Sequence, residues 1–251
     1  MSPRPIRTAE ALTARLNASE RDRSHAPVRV RDAASLIVLD DSGPRVLMGR
    51  RNGRHAFMPN MLVFPGGRVD PTDSRVKVAS SYDSETEAKL GAATSNRLGP
   101  MRVRAFGVAA LREAFEETGV LIGRREPHSV PTSAPFAAFA RRGLALDLSA
   151  LRFVARAITP PGRPRRYDTR FFLVRREHVT EIDETIVGDD AELQEIDWVP
   201  IEAARSLDLP TITLTVLDEI TARLDVDPEL SPATPVPFYR WRGSAFTRTL
   251  L

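Results

Sequence analysis

Arg112-Glu113-Ala114-Phe115-Glu116-Glu117-Thr118-Gly119 closes a segment whose apolar residues recur every three or four positions. That spacing predicts an amphipathic helix from 106 to 118, and Gly119 occupies the position of a helix C-cap. The apolar residues that carry the period are Phe106, Ala110, Leu111, Ala114 and Phe115. The segment therefore offers one apolar face to a core.

Three carboxylates share another face of this helix, because Glu113, Glu116 and Glu117 stand at positions i, i+3 and i+4. Like charges at this spacing destabilise a helix by roughly a few tenths of a kcal/mol per pair, and Arg112 offsets part of this through Glu116. Hard oxygen donors suit Mg²⁺ or Mn²⁺, which also bind substrate phosphates. A solvated acidic face gives the same pattern, and the spacing alone favours that interpretation over a metal site.

Apolar runs elsewhere in the chain predict a sheet. The predicted strands cover 33–39, 45–50, 61–64, 151–158, 170–174 and 193–199, and further helices cover 201–206 and 211–224. A turn at 41–44 joins the first two strands as a hairpin, and Pro65-Gly66-Gly67 ends the third. Strands with interspersed helices and no regular βαβ alternation predict an α/β (α+β) fold with a mixed sheet covered by helices.

The chain divides into one domain and two flanking segments. Residues 1–27 are polar and broken by prolines, which predicts a flexible lead-in with one short helix. The domain covers 28–224, and residues 225–251 form a proline-rich tail expected on the surface. Residues 74–103 read as an insertion, because their apolar content is too low for a separate core.

Composition excludes several classes of protein. The 251 residues are 42% hydrophobic and 27% charged, an ordinary globular mixture, and contain no cysteine. This excludes a disulfide scaffold, a cysteine-ligated zinc site, an iron–sulfur cluster and a thiol nucleophile. No apolar run reaches the roughly 20 residues of a spanning helix, and the first residues lack a signal h-region, so we expect a cytoplasmic protein with no membrane partner.

Other catalytic patterns are missing from the sequence. Neither a Walker loop nor a G-x-S-x-G elbow occurs, and the four histidines have no metal-ligand spacing. The net charge of +3 is a weak guide to partners. Aromatic and basic residues do not alternate as in single-strand binders, so nucleic acid is not an expected partner.

Gly66-Gly67 after a strand, followed by Arg112–Val120, resembles the Nudix box of the Nudix hydrolases. That pattern has a glycine, five residues, a glutamate, seven residues and then Arg-Glu-aliphatic-x-Glu-Glu-x-Gly-aliphatic. Counted from Gly67, Asp73 occupies the first glutamate position, and residues 74–111 replace the seven-residue spacer. A box split in this way resembles the subgroup that includes the peroxisomal coenzyme A diphosphatases.

Later segments extend the resemblance to residues 30–224. Thr159-Pro160-Pro161 and then 165–172 are similar to the subgroup's T-P…R-R-[FY]-D-T-x-F-F segment. Residues 190–200 resemble its late strand, and 209–211 resemble the opening of its last helix. The resemblance implies an α/β/α sandwich with an insertion inside the Nudix box.

The resemblance also implies metal-dependent hydrolysis of a diphosphate bond in a small nucleoside-diphosphate-linked compound. Coenzyme A or acyl-coenzyme A is the substrate that the subgroup suggests. Glu116 and Glu117 would be metal ligands, Glu113 a further ligand or the base that activates water, and Arg112 would orient these carboxylates. The remaining candidates are the Gly66 carbonyl and Glu192 as ligands, Glu195 as the rival of Glu192, and Asp73, which would pair with Arg112 or hold a metal-bound water.

Arg166, Tyr167 and Arg170 are candidate substrate-binding residues, since arginine forks suit phosphates and a tyrosine ring can stack on a base. An arginine-rich surface loop gives the same pattern, and this interpretation is favoured for Arg165. The alternative function is a catalytically silent Nudix-fold module that binds or senses a nucleotide. The insertion would cap the pocket or form a homodimer contact, and the sequence leaves both open.

Overall fold

The structure is a computed structural model that describes residues 9–19, 26–53, 60–94, 98–186, 188 and 191–251. The helices are α1 (Ala9–Ser19), α2 (Ser84–Gly91), α3 (Pro100–Thr118), α4 (Ala137–Arg141), α5 (Ile201–Ala204) and α6 (Thr211–Val226). The strands are β1 (Arg31–Asp40), β2 (Arg45–Arg51), β3 (Leu62–Val63), β4 (Gly66–Arg68), β5 (Val120–Leu121), β6 (Gly123–Arg125), β7 (Leu144–Leu146), β8 (Arg152–Ile158), β9 (Tyr167–Arg175), β10 (Glu181–Ile182), β11 (Leu193–Pro200), β12 (Pro237–Arg242) and β13 (Ala245–Leu250).

The main sheet is mixed and follows the order β11-β2-β1-β9-β8-β12-β13, with β3 paired to β2 and β4 paired to β1. β1 and β9 run parallel, as do β8 and β12, whereas the hairpin partners run antiparallel. β1 and β9 therefore begin at the same edge of the sheet. The predicted α/β (α+β) architecture with a mixed sheet is confirmed.

Helices cover both faces of this sheet. On β9 the neighbouring residues Phe171 and Phe172 point to opposite layers, and both are buried. Phe172 packs in the layer that contains Phe106 of α3, and Phe171 packs in the layer that contains Leu16 of α1 and Leu217 of α6. The result is the α/β/α sandwich that the sequence implied.

Helix α3 begins at Pro100, six residues before the predicted position. Proline suits the first helical position, because its φ is preset and its missing N–H has no helical partner there. The predicted C-cap is present, since Gly119 has φ 73° and its N–H donates to the carbonyl of Phe115 at 2.8 Å. A β-carbon at Gly119 would lie 2.1 Å from the carbonyl oxygen of Asp183, so the close approach also requires glycine.

The insertion packs against the domain. Its helix α2 begins directly after Asp83, which is the N-cap. Tyr82 stacks on Phe172 with ring centroids 5.8 Å apart, and a β-carbon at Gly107 of α3 would lie 2.2 Å from the Tyr82 hydroxyl. The insertion is therefore anchored to α3 and the sheet by the packing of Tyr82. Residues 95–97 of the insertion lie outside the described ranges.

The expected C-terminal surface tail is instead part of the sheet. β12 pairs in parallel with β8, β13 pairs with β12, and Val236, Phe238 and Tyr239 are buried. The prolines that suggested a tail precede the hairpin, and Pro237 occupies the first strand position, where a missing N–H is tolerated.

The described part of the expected lead-in is also folded. Helix α1 is the short helix that the sequence predicted, but Leu12 and Leu16 are buried in the layer of α6 and β13. Residues 1–8 and 20–25 lie outside the described ranges. Among the described helices, none is long and apolar enough to span a membrane.

Candidate active site

A cleft of about 1250 Å³ lies at the edge of the sheet where β1 and β9 begin. Its lining includes Gly66 and Gly67 of β4, Glu113 of α3 and Glu192 just before β11. Most small-molecule pockets have volumes of roughly 300–1,000 Å³, so this cleft has room for an elongated ligand.

Asp73 and Arg112 form a buried ion pair at the base of this region. Asp73 is fully buried and accepts hydrogen bonds from Arg112 Nε at 3.0 Å and Nη2 at 3.1 Å. Its Oδ2 also accepts from the N–H of Asp70 at 2.7 Å. Burial alone would lower the pKa of Arg112, but Asp73 and Glu113 outweigh burial and raise that pKa. Of the two roles proposed for Asp73, the structure shows the pairing with Arg112.

Arg112 contacts two carboxylates of α3, Glu113 and Glu116, of which Glu113 lines the cleft. Its Nη1 donates to Glu113 Oε1 at 2.7 Å and to Glu116 Oε2 at 3.0 Å. The Glu113 side chain is 16% exposed and that of Glu116 is 41% exposed. Burial raises the pKa of Glu113, although Arg112 acts in the opposite direction. Arg112 thus has the geometry of the orienting residue that the sequence suggested.

Glu117 is the most buried carboxylate of the three. Only 3% of the residue is exposed, and its Oε2 accepts the N–H of Gly66 at 2.7 Å. Its Oε1 is buried and has no hydrogen-bond partner among the residues that the structure describes. Burial raises the pKa of Glu117 well above its ordinary value, and the charges of Glu192 and Glu113 raise it further. A buried oxygen of this kind favours a ligand of positive charge.

The two glycines of β4 allow these contacts. β4 pairs with β1 through Ser35↔Gly66 and Ala34↔Gly67. A β-carbon at Gly67 would lie 2.4 Å from the carboxyl carbon of Glu113, and one at Gly66 would lie 2.6 Å from the carbonyl oxygen of Ala34. Gly67 therefore makes room for a side chain of the site, and Gly66 for the backbone of the sheet.

The structure separates Glu192 from Glu195. Glu192 lines the cleft, and its Oε1 accepts a hydrogen bond from Arg51 Nη1 at 2.8 Å. The charge of Glu192 raises the pKa of both Glu113 and Glu117. Glu195 lies in an irregular stretch of β11 with φ 48° and pairs with Arg50 Nε at 2.5 Å. Glu192 is thus the acid that the fold brings to the carboxylates of α3.

The donor chemistry fits a hard divalent cation. Carboxylate oxygens are available from Glu113, Glu116, Glu117 and Glu192. The buried Oε1 of Glu117 has no hydrogen-bond partner among the described residues. Within the described ranges, no three acidic or histidine side chains are already gathered into a metal-binding group. Arg112, Arg51 and the Gly66 N–H each hold a carboxylate oxygen, so these contacts would exchange for the cation.

The candidate substrate-binding residues are placed differently from one another. Arg170 is 1% exposed and lies over the ring of Phe106, with 4.0 Å from its Cζ to the ring centroid. Arg166 donates through Nε to the carbonyl of Thr159 at 3.0 Å and braces the β8–β9 loop. Tyr167 and Arg170 line the cleft, and so does Arg165, for which the sequence favoured a surface role.

Sequence reasoning did not single out Arg51 or Arg102, which also line the cleft. Arg51 is at the end of β2, and Arg102 is in the first turn of α3. Neither belongs to a motif, and their acidic partners lie far away in the chain. A local pattern could therefore not have identified them.

Comparison with known proteins agrees with this geometry. No protein-family model matches the chain. A curated protein of Caenorhabditis elegans named nudix hydrolase 7 is 30% identical over 181 residues, which cover 67% of this chain and 51% of that protein. The crystal structure of a NUDIX hydrolase from Alicyclobacillus acidocaldarius is 28% identical with a TM-score of 0.58, and the match covers 82% of this chain and 97% of the other.

This chain belongs to the Nudix hydrolase family. The acyl-coenzyme A diphosphatase NUDT19 of Xenopus laevis is another Nudix relative, 35% identical over 95 residues that cover 31% of this chain and 25% of that protein. The chain spans about half the length, or less, of these curated relatives. In the structure, the ion pair between Asp73 and Arg112 brings the two halves of the split Nudix box into contact.

Proposed function

We propose that this chain hydrolyses a diphosphate bond in a nucleoside-diphosphate-linked compound and depends on Mg²⁺ or Mn²⁺. The observation that carries the proposal is the buried Oε1 of Glu117, which has no partner in the described part of the chain and feels the charges of Glu113 and Glu192. Membership of the Nudix family and the similarity to the acyl-coenzyme A diphosphatase NUDT19 support the same chemistry.

A bound divalent cation would neutralise diphosphate oxygens and lower the pKa of water. Glu116, Glu117 and Glu192 are the proposed ligands, together with the carbonyl of Gly66. Arg112 keeps Glu113 and Glu116 oriented through Nη1, because Asp73 fixes the opposite edge of its guanidinium. Positioning and charge stabilisation are the main contributions that a protein makes to phosphoryl chemistry.

Glu113 is proposed either as a further ligand or as the base that takes a proton from water. Its partial burial and raised pKa suit a base, and its position beside Gly67 suits a ligand. Glu113→Gln separates the two roles. Loss of Mn²⁺ binding by calorimetry indicates a ligand, whereas unchanged binding with lost turnover indicates the base.

Coenzyme A or acyl-coenzyme A is the proposed substrate. The split-box subgroup and the acyl-coenzyme A diphosphatase relative favour it, and the cleft volume of about 1250 Å³ accommodates a long conjugate. NADH, ADP-ribose and dinucleoside polyphosphates are the competing diphosphate compounds.

The deciding experiment is mass-spectrometric identification of products from a mixed panel of these compounds, with Mg²⁺ or Mn²⁺ and with a chelator. We expect 3′,5′-ADP and a phosphopantetheine product, lost with chelator and restored by metal. Glu117→Gln is the matched control for a contaminating hydrolase. Tight nucleotide binding without any turnover would overturn the proposal and favour a catalytically silent binding module.

A further inference from the structure

Five charged side chains form part of the cleft wall near the start of α3, and we call them the arginine–aspartate cluster. Asp32 of β1 accepts Arg102 Nη2 at 2.6 Å on one oxygen and Arg170 Nη1 at 2.8 Å on the other. Asp168 of β9 accepts Arg156 through both oxygens, at 2.8 and 2.7 Å, and lies 3.3 Å from Arg170 Nη1. Both carboxylates are therefore shared between two arginines.

The arginine–aspartate cluster contains three guanidinium groups and two carboxylates, so one positive charge is not balanced within the cluster. Two of the three guanidinium groups are buried, because Arg156 is 2% exposed and Arg170 is 1% exposed, whereas the Arg102 side chain is 36% exposed. Burial lowers the pKa of Arg170, and the charge of Arg156 adds to that effect. Within the described ranges, Arg170 Nε has no hydrogen-bond partner. An unbalanced buried cation is costly unless an anion reaches it.

Further arginines face the same space. Arg165 of the β8–β9 loop is exposed, as are Arg29 and Arg31 at the entrance to β1, and all three line the cleft. Among the described residues that line the cleft, ten are arginines and five are acidic. Two of those acids, Glu113 and Glu192, pair with Arg112 and Arg51. The rest of this lining therefore has eight arginines and three acids, so the surplus of positive charge lies there.

The two ends of the cleft are well separated. Arg102 precedes Glu113 by eleven residues on α3. Eleven residues of α-helix span about 16 Å, which is far more than the length of one phosphate contact. Arg102 is therefore too far from the carboxylates to contact the same phosphates.

We propose that Arg102, Arg165 and Arg170 form a second anion site, which binds a phosphate monoester of the substrate remote from the scissile diphosphate. Arg156 holds Asp168 in place beside them, because its three guanidinium nitrogens already donate to Asp168 and to the carbonyls of Ala92 and Ala93. The identity of the substrate rests on the proposed function, but binding at this site does not. The ribose 3′-phosphate and 2′-phosphate are the two sources of such a group on a nucleotide. Arginine forks bind such dianions through two parallel hydrogen bonds.

The test measures binding without metal, so that the carboxylate site contributes no cation. Calorimetry in chelator compares adenosine 3′-monophosphate, adenosine 2′-monophosphate and adenosine. We expect the wild-type protein to bind one of the monophosphates at least about tenfold more tightly than adenosine, as one charge-assisted hydrogen bond provides. The better monophosphate identifies the source.

Two variants test the residues. Arg165→Ala removes an exposed side chain, and Arg102→Gln leaves Asp32 paired with Arg170. Each is expected to bring the affinity ratio of monophosphate to adenosine towards one. Because the ratio is internal to each sample, a loss of folded protein does not change it. Arg125→Ala, on exposed β6 outside the cleft lining, is the control and should keep the wild-type ratio.

Equal affinity for adenosine and both monophosphates in the wild type would overturn the proposal. An unchanged ratio in both Arg102→Gln and Arg165→Ala would also overturn it. The kcat/KM for coenzyme A relative to dephospho-coenzyme A gives the second measurement. If neither compound is hydrolysed, the proposed function fails while the binding ratio still decides the anion site; if both are hydrolysed equally, the anion site fails alone.

Discussion

The two ends of α3 carry opposite charges, and each charge has the sign that the helix dipole disfavours. Arg102 lies in the first turn, where the dipole favours anions, and Glu116 and Glu117 lie in the last turn, where it favours cations. Each such placement costs roughly 0.3–1 kcal/mol at an exposed site. The helix is therefore not arranged for its own stability, and ligands of opposite sign at its two ends would relieve both placements.

The two ends differ in how their charges are balanced within the protein. At the first turn, Asp32 balances part of the charge of Arg102 and Arg170. At the last turn, Oε2 of Glu117 accepts a hydrogen bond from the N–H of Gly66. Its buried Oε1 has no hydrogen-bond partner among the described residues. The carboxylate end has the larger imbalance, and we expect the largest functional effects there.

Glu117→Gln gives the largest expected effect. Turnover should fall by at least about a hundredfold, as when other stabilising groups are removed from a transition state. Without metal the same variant should unfold at a higher temperature, by about a few degrees, because it removes a buried charge beside Glu113 and Glu192. Steady-state kinetics and calorimetric unfolding in chelator measure the two effects.

Added Mn²⁺ should raise the unfolding temperature of the wild type and have little effect on Glu117→Gln, since a ligand stabilises only the state that binds it. Glu116→Gln should also lose turnover by orders of magnitude. It should gain less stability, because Glu116 is far more exposed than Glu117. Wild-type turnover in both variants at limiting metal would contradict the assignment of this end of α3.

Asp73→Ala gives the next effect, and here the loss is in the fold. It leaves Arg112 buried without its paired carboxylate, which costs about 3–5 kcal/mol when one partner of a buried pair is removed. Urea unfolding measures the free energy. Asp73→Glu restores the residue of the family pattern, yet we expect it to cost about 1–3 kcal/mol because Asp73 is fully buried and the longer side chain overpacks. A stable Asp73→Ala protein would show that Arg112 needs no anchor.

Gly66→Ala and Gly67→Ala form a matched pair at β4. The β-carbon at Gly67 meets the end of the Glu113 side chain, which can rotate away, so activity should fall with little loss of stability. The β-carbon at Gly66 meets the Ala34 backbone, which cannot move without disturbing β1, so stability should fall. Parallel measurement of turnover and unfolding temperature distinguishes them, and a reversed order would contradict the geometry.

The carboxylate end of α3 could be predicted from the sequence because its residues are close together in the chain. Helical spacing placed Glu113, Glu116 and Glu117 on one face, and Gly119 has the αL backbone expected of a C-cap. At the first turn of α3, Arg170 could be named as a candidate for phosphate binding, but its link to Arg102 could not be predicted. Arg102 and Arg170 meet at Asp32 across 70 and 138 residues, and such contacts depend on sheet register, which no local period reveals.

The C-terminal hairpin shows a different limit of sequence reasoning. Prolines before Pro237 favour a surface segment, yet Phe238 and Tyr239 are buried in the sheet. The pairing of β12 with β8 is parallel and joins residues far apart in the chain. Tertiary pairing therefore overrides the local signal of the prolines.

Glu192 and Glu195 provide the smallest expected effect and the finest test of the carboxylate end. They are three residues apart in the sequence. The register of β11 is irregular between Gln194 and Asp197, and Glu195 there forms a solvent-exposed ion pair with Arg50. Glu195→Ala breaks an exposed ion pair, so stability should change by less than about 1 kcal/mol and turnover should not change.

Glu192→Ala is the matched variant and should lower turnover and Mn²⁺ affinity, because Glu192 lies close enough to raise the pKa of both Glu113 and Glu117. Kinetics and Mn²⁺ titration of the two variants measure the difference. If Glu195→Ala instead lost turnover while Glu192→Ala kept it, the strand irregularity would have to reverse on metal binding. The carboxylate end would then include a residue that this geometry places outside it.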